Sequence, residues 1–166
     1  MEDKDGCLHP EKVGGKYFLF HRINNFICGD FGSTPEFKER STFKNTPIIT
    51  PRHGMWDSIK VGTATPPIKT GKGWILLYHG IGAGGRYSVG AALLDLKDPT
   101  KVLSRTTDAI FEPKEDYELT GQVGNVVFPC GAVVRGDTIF IYYGGADSVI
   151  DVASISLKEL LDTLTK

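Results

Sequence analysis

Three stretches of the chain repeat one pattern of polar and apolar positions: a short strand, a tight turn containing glycine, then a strand of aromatic and branched residues ending on polar groups. They run from Pro10 to Arg22, from Pro67 to Gly80, and from Gly131 to Gly144. Glycine supplies the positive φ that short hairpin loops require, and Ile, Phe, Trp and Tyr favour strands, so each stretch predicts a β-hairpin. Further strands are predicted at Ser88–Leu96 and Val149–Ile155. Helical character is confined to the tail from Leu157 to about Leu164, where Ser156 and Glu159 form the S-x-x-E pattern of a capping box.

Aligning His21, His79 and Tyr143 gives a repeat of roughly 60 residues, somewhat longer than common propeller repeats. Each unit has room for four strands, and four-stranded units repeated radially make a β-propeller. A β-sandwich also shows regular short strands, but without such a repeat. Three units are too few to close a ring. The expected fold is therefore all-β, a partial β-propeller of about three four-stranded blades with a short C-terminal helix, in one domain spanning 1–166.

Composition narrows the partners. The 166 residues carry a formal net charge of −1 and 40% hydrophobic residues, which fits a globular domain and offers no basic footprint for nucleic acid or an anionic membrane. No stretch approaches the roughly 18 apolar residues of a membrane span, and the polar start gives no export signal. Cys7, Cys28 and Cys130 are an odd set without CxxC spacing, which suggests neither a disulfide framework nor a zinc site. The expected compartment is the cytoplasm.

Several linked motifs resemble glycoside hydrolase family 130, the β-1,4-mannosyl and mannooligosaccharide phosphorylases with related β-mannosidases. These are His9-Pro10-Glu11-Lys12 with Gly15-Lys16-Tyr17 and His21-Arg22, then Gly54-Met55-Trp56-Asp57-Ser58-Ile59-Lys60-Val61-Gly62, Pro66-Pro67-Ile68, and Gly73-Trp74 with Tyr78-His79-Gly80. Leu93-Leu94-Asp95, Asp98-Pro99, Asn125-Val126-Val127-Phe128-Pro129 and Tyr142-Tyr143-Gly144-Gly145-Ala146-Asp147 follow in order. The resemblance implies a five-bladed propeller in which inorganic phosphate attacks a β-mannoside with inversion, releasing α-mannose 1-phosphate, while an aspartic acid protonates the leaving group. That aspartate lies upstream of the first motif, so the expectation is a C-terminal part without its general acid, inactive alone.

By the same resemblance, Arg22, Lys60 and His79 match phosphate ligands. Lys4 and Asp5 stand where some members carry an arginine and an asparagine that also hold phosphate. Asp147 matches a sugar-binding aspartate, and Tyr87 and Phe128 are candidate aromatic walls. Phosphate needs such converging donors, because charge-assisted bonds neutralise the anion and hold it in line with the anomeric carbon. Trp56 and Asp57 are expected to order the loop carrying Lys60. Two departures stand out: His9 where phenylalanine is common, and a segment from Cys28 to Lys44 without the usual Ser-x-Asp-Leu pattern. The implied partners are a β-mannoside or mannooligosaccharide, with phosphate as co-substrate and no other cofactor or metal. A separate chain carrying the N-terminal blades and a homo-oligomer stay open, as do a β-mannosidase and a non-catalytic sugar- or phosphate-binding remnant.

Overall fold

The computed structural model describes residues 2–38 and 40–166. Its strands form three antiparallel sheets in chain order. The first contains β1 (Asp3–Leu8), β2 (Tyr17–Ile23), β3 (Phe26–Gly32) and β4 (Thr46–Ile49), paired in that order. The second contains β5 (Lys60–Thr63), β6 (Ile68–Lys69), β7 (Trp74–Ile81), β8 (Tyr87–Leu94) and β9 (Val102–Arg105), with β5 and β6 both paired to β7. The third contains β10 (Val127–Arg135), β11 (Thr138–Gly145) and β12 (Val149–Ser156).

Side chains alternate across a strand, so a strand buried on both faces reads as one continuous apolar run. β7 is such a strand, buried at every position. Its Trp74, Leu76 and Tyr78 join Phe18 and Phe20 of β2, Ile27, Ile49 and Val61 in a core between the first and second sheets. Ile75 and Leu77 face the other way, joining Ala91 and Leu93 of β8, Ile139 and Ile141 of β11, and Leu160 and Leu164. Full burial of one such leucine is worth about 1.5–3 kcal/mol. These two cores fix the three sheets side by side.

The tail forms helix α2 (Leu157–Leu164), as its capping pattern predicts. The Ser156 hydroxyl accepts from the Glu159 amide at 3.1 Å. Leu160 and Leu164, one turn apart, lie in the second core. The opposite face of the third sheet is uncovered, leaving Tyr142, Ile150 and Val152 exposed. Among the described residues, no helix is long and apolar enough to cross a membrane.

Two expectations change. The first hairpin is not Pro10–Val13 against β2, because the strand facing β2 is the polar segment Asp3–Leu8. Only the tight turn remains where expected, closed by the Val13–Lys16 bridge. The third unit has three strands among the described residues instead of four. His9 also finds a role: its buried ring packs on Trp74 at 4.2 Å between centroids and contacts Phe18 and Phe20, filling an aromatic core position. The segment Cys28–Lys44 includes position 39, which lies outside the described residues.

Candidate functional site

Strand β1 is irregular, with a register shift between Lys4 and Cys7 and a left-handed Asp5 at φ 53°. Aspartate and asparagine are among the few side chains tolerated there. The Asp5 carboxylate meets Arg22 of β2, whose Nε donates to Oδ2 at 2.6 Å, and the same oxygen lies 3.6 Å from His79 Nε2 on β7. The Asp5 carbonyl accepts from the Thr63 hydroxyl, which ties the bulge to β5. Gly62 leaves the space this needs, since a Cβ there would stand 2.5 Å from Asp5 Oδ2 and 2.4 Å from His79 Cε1.

Arg22 is only 5% exposed, and its Nη1 also donates to Glu2 Oε2 at 3.1 Å. Lys4 lies beside it in register, but its ammonium pairs with Glu2 at 2.5 Å and is 59% exposed. His79 is 1% exposed. Burial pushes its imidazole down to about 4, against the opposing pull of Asp5 and with help from the Arg22 and Lys60 charges. At neutral pH the ring is therefore neutral, a donor at one nitrogen and an acceptor at the other.

Around His79 the three sheets meet. Its ring centroid lies 4.5 Å from that of Phe128 on β10 and 5.9 Å from that of Tyr87 on β8. The Lys60 ammonium sits 5.9 Å above the Tyr87 ring. Tyr87, Phe128 and Asp147, with Val123 and Val126, line an open hollow of about 290 Å³. The structure thus brings Arg22, Lys60, His79, Tyr87, Phe128 and Asp147 into one continuous constellation, with Lys4 at its edge.

Two buried carboxylates hold this arrangement. Asp57, fully buried, accepts from Arg52 at 2.8 Å, Arg105 at 2.6 Å and the Tyr78 hydroxyl at 2.9 Å. It thereby fastens the loop leading into Lys60 to β9 and to the residue beside His79. Trp56 stacks on Tyr78 with rings 23° apart. A Cβ at Gly80 or Gly90 would come within 2.5 Å of the indole. Both residues support the Lys60 loop, as the sequence suggests.

Glu118, on the one-turn helix α1 (Asp116–Leu119), is the second. Its Oε2 accepts from the Lys114 and Glu115 amides, and its Oε1 from the Tyr143 hydroxyl at 2.6 Å. The following residues pair with both neighbouring sheets: Tyr87 N donates to Asn125 O at 3.0 Å, and Ala146 N to Val126 O at 3.0 Å. Asn125, Ala146 and Asp147 are all left-handed, at φ 61°, 46° and 51°. Such conformations persist only where surrounding structure enforces them. Sequence reasoning missed Asp5 as the partner of Arg22, and it missed Glu118. The one available signal was Tyr143 at the repeat position of the two histidines, a hydroxyl that needs a partner when buried.

A family model described as beta-1,4-mannooligosaccharide phosphorylase matches residues 1–166. The chain is 43% identical over 158 residues to a 1,2-beta-oligomannan phosphorylase of Thermoanaerobacter sp. (strain X514), covering 95% of this chain and 52% of that protein. It is 44% identical over 167 residues to a beta-1,2-mannobiose phosphorylase of Listeria innocua, covering 98% of this chain and 46% of that one. A solved structure of the Listeria innocua beta-1,2-mannobiose phosphorylase in complex with beta-1,2-mannobiose superposes with a TM-score of 0.88 at 42% identity, over 98% of this chain and 47% of that chain. The chain therefore spans about half the length of the relatives it matches.

Replacing Asp57 with alanine leaves two largely buried guanidinium groups without their anion, which is expected to destabilise the fold by about 3–5 kcal/mol. Urea unfolding measures this, and a loss below about 1 kcal/mol would remove Asp57 as the anchor. His79 gives a pH signature. Between 6.5 and about 4 the unfolded chain holds a proton on this imidazole that the folded chain does not. Stability from this group is complete above 6.5 and declines as pH falls through that window. Subtracting the stability profile of His79→Gln from that of the unsubstituted protein should expose this slope, and a flat difference would contradict the burial argument.

Proposed function

The chain belongs to the beta-1,4-mannooligosaccharide phosphorylase family, and on that premise we propose that it forms the phosphate- and sugar-binding portion of an inverting β-mannoside phosphorylase. The observation that carries the reading is the meeting of cationic and aromatic groups from three sheets around His79. Phosphate sits against Arg22 and Lys60, takes a hydrogen bond from neutral His79, and is approached by Lys4 from the edge. Mannose occupies the neighbouring hollow, its apolar face on Tyr87 or Phe128 and two hydroxyls on Asp147. Phosphate then attacks the anomeric carbon from the face opposite the leaving oxygen and gives α-mannose 1-phosphate. Both curated relatives above are named for 1,2-linked mannose, which favours a β-1,2-mannoside as substrate.

Protonation of the leaving oxygen is assigned to an aspartic acid outside these 166 residues, on the half of the relatives' length that the chain does not span. General acid assistance is worth about 10² to 10⁴ in rate, so this portion alone is inactive. The three sheets are then consecutive blades of a five-bladed propeller, and the uncovered face bearing Tyr142, Ile150 and Val152 is where a further blade packs. Hydrolysis is the weaker reading. An inverting hydrolase needs a carboxylate to activate water, and Asp5, the carboxylate beside His79, is engaged by Arg22 at 2.6 Å.

The test is mannose 1-phosphate release from β-1,2-mannobiose and phosphate, by the chain alone and by the chain fused behind the preceding portion of a full-length relative. The fusion should turn over and the chain alone should not. In the fusion, Lys60→Ala should lower kcat/KM for phosphate by about 10²-fold or more, as expected for a donor to developing negative charge. Turnover by the chain alone would relocate the acid, and a fusion that releases only mannose would replace phosphorolysis with hydrolysis.

A further inference from the structure

Any anion that takes hydrogen bonds from both Arg22 and His79 must pass against Asp5. One carboxylate oxygen, Oδ2, lies 2.6 Å from Arg22 Nε and 3.6 Å from His79 Nε2. Both contacts use Oδ2, and none of the described hydrogen bonds or ion pairs reaches Oδ1. The side chain is 16% exposed, so water screens it little. The bulge, the left-handed backbone and the bond from Thr63 to the Asp5 carbonyl all fix it in this place. A carboxylate is a hydrogen-bond acceptor only. A ligand oxygen that faces it must therefore bring its own proton.

We infer that Asp5 makes this site selective for tetrahedral oxyanions that carry a proton, so that hydrogen phosphate is accepted and sulfate is refused. The inference rests on the phosphate reading above and adds a specificity residue to it. At neutral pH inorganic phosphate retains at least one P–OH group in either of its anionic forms, and that hydroxyl donates to Asp5. Sulfate has the same shape and charge as the phosphate dianion but no proton. It would set one anionic acceptor against another where little water can intervene. A hydrogen bond to a charged group is worth about 1.5–3 kcal/mol, which corresponds to discrimination of roughly 10- to 100-fold. The same geometry explains why an acid is compatible with an anion site: the proton that phosphate carries turns a repulsive contact into a bond.

Asp5→Asn is the informative variant. Asparagine tolerates the left-handed conformation at least as well as aspartate, can still accept from Arg22 through its carbonyl oxygen, and adds an NH₂ donor that suits sulfate. Calorimetric titration of the 166-residue chain with phosphate, arsenate and sulfate at fixed ionic strength reads the effect. Phosphate and arsenate should bind alike and sulfate at least about 10-fold more weakly, whereas Asp5→Asn should gain sulfate binding until the three anions converge. Equal binding of sulfate and phosphate by the unsubstituted chain overturns the inference. So does discrimination that survives in Asp5→Asn. Should the variant fail to fold, the three-anion comparison on the unsubstituted chain decides alone. Absence of binding by any of the anions instead removes the phosphate reading on which the inference stands.

Discussion

Burial of both faces of β7 is the constraint from which the rest of the structure follows. A strand covered on one side only could hold one neighbouring sheet. β7 holds two, because Trp74, Leu76 and Tyr78 serve one core while Ile75 and Leu77 serve the other. The next residue of the strand is His79, and there the neighbouring sheets deliver Asp5 and Arg22 from one side and Phe128 from the other. The site is thus a consequence of sheet packing, assembled where strands of three sheets come together.

Packing alone does not set the side chains. Their directions depend on a few local exceptions to regular strand geometry: the bulge at Asp5, the tight turn at Ala146 and Asp147, and the loop through Asn125. The Asp5 bulge is tied to the second sheet by the Thr63 hydroxyl, the Asn125 loop to the same sheet by the Tyr87 amide, and Ala146 to Val126 just before β10. Asp57 and Glu118 act similarly from beneath, each satisfying several donors at once. A buried carboxylate so fully engaged fixes the loops around it, and its loss strands the partners it satisfied.

What could be read in the sequence follows the same division. Strands β2, β7 and β11 and helix α2 were legible, because their apolar runs and capping residues are local signals. The residues Arg22, Lys60, His79, Phe128 and Asp147 were legible through motif order and Tyr87 as an aromatic ring suited to a sugar face, and the fold brings them near one another. Strand β1 was not, since Asp3-Lys4-Asp5-Gly6-Cys7-Leu8 has no apolar alternation and becomes a strand only by pairing with β2. The bond between Glu118 and Tyr143 was equally hidden, because its partners are 25 residues apart. The bond from Asp5 to Arg22 spans 17, and it depends on a backbone irregularity that no residue pattern announces.

The central claim is that hairpin ends from three sheets make one anion site. A crystal structure of the chain grown with phosphate tests it directly. The account predicts one phosphate within hydrogen-bonding distance of Arg22, Lys60 and His79, with Asp5 facing a phosphate oxygen and Asp147 opening onto the adjoining hollow. Phosphate bound elsewhere, or those three cations and donors separated on different surfaces, would contradict it.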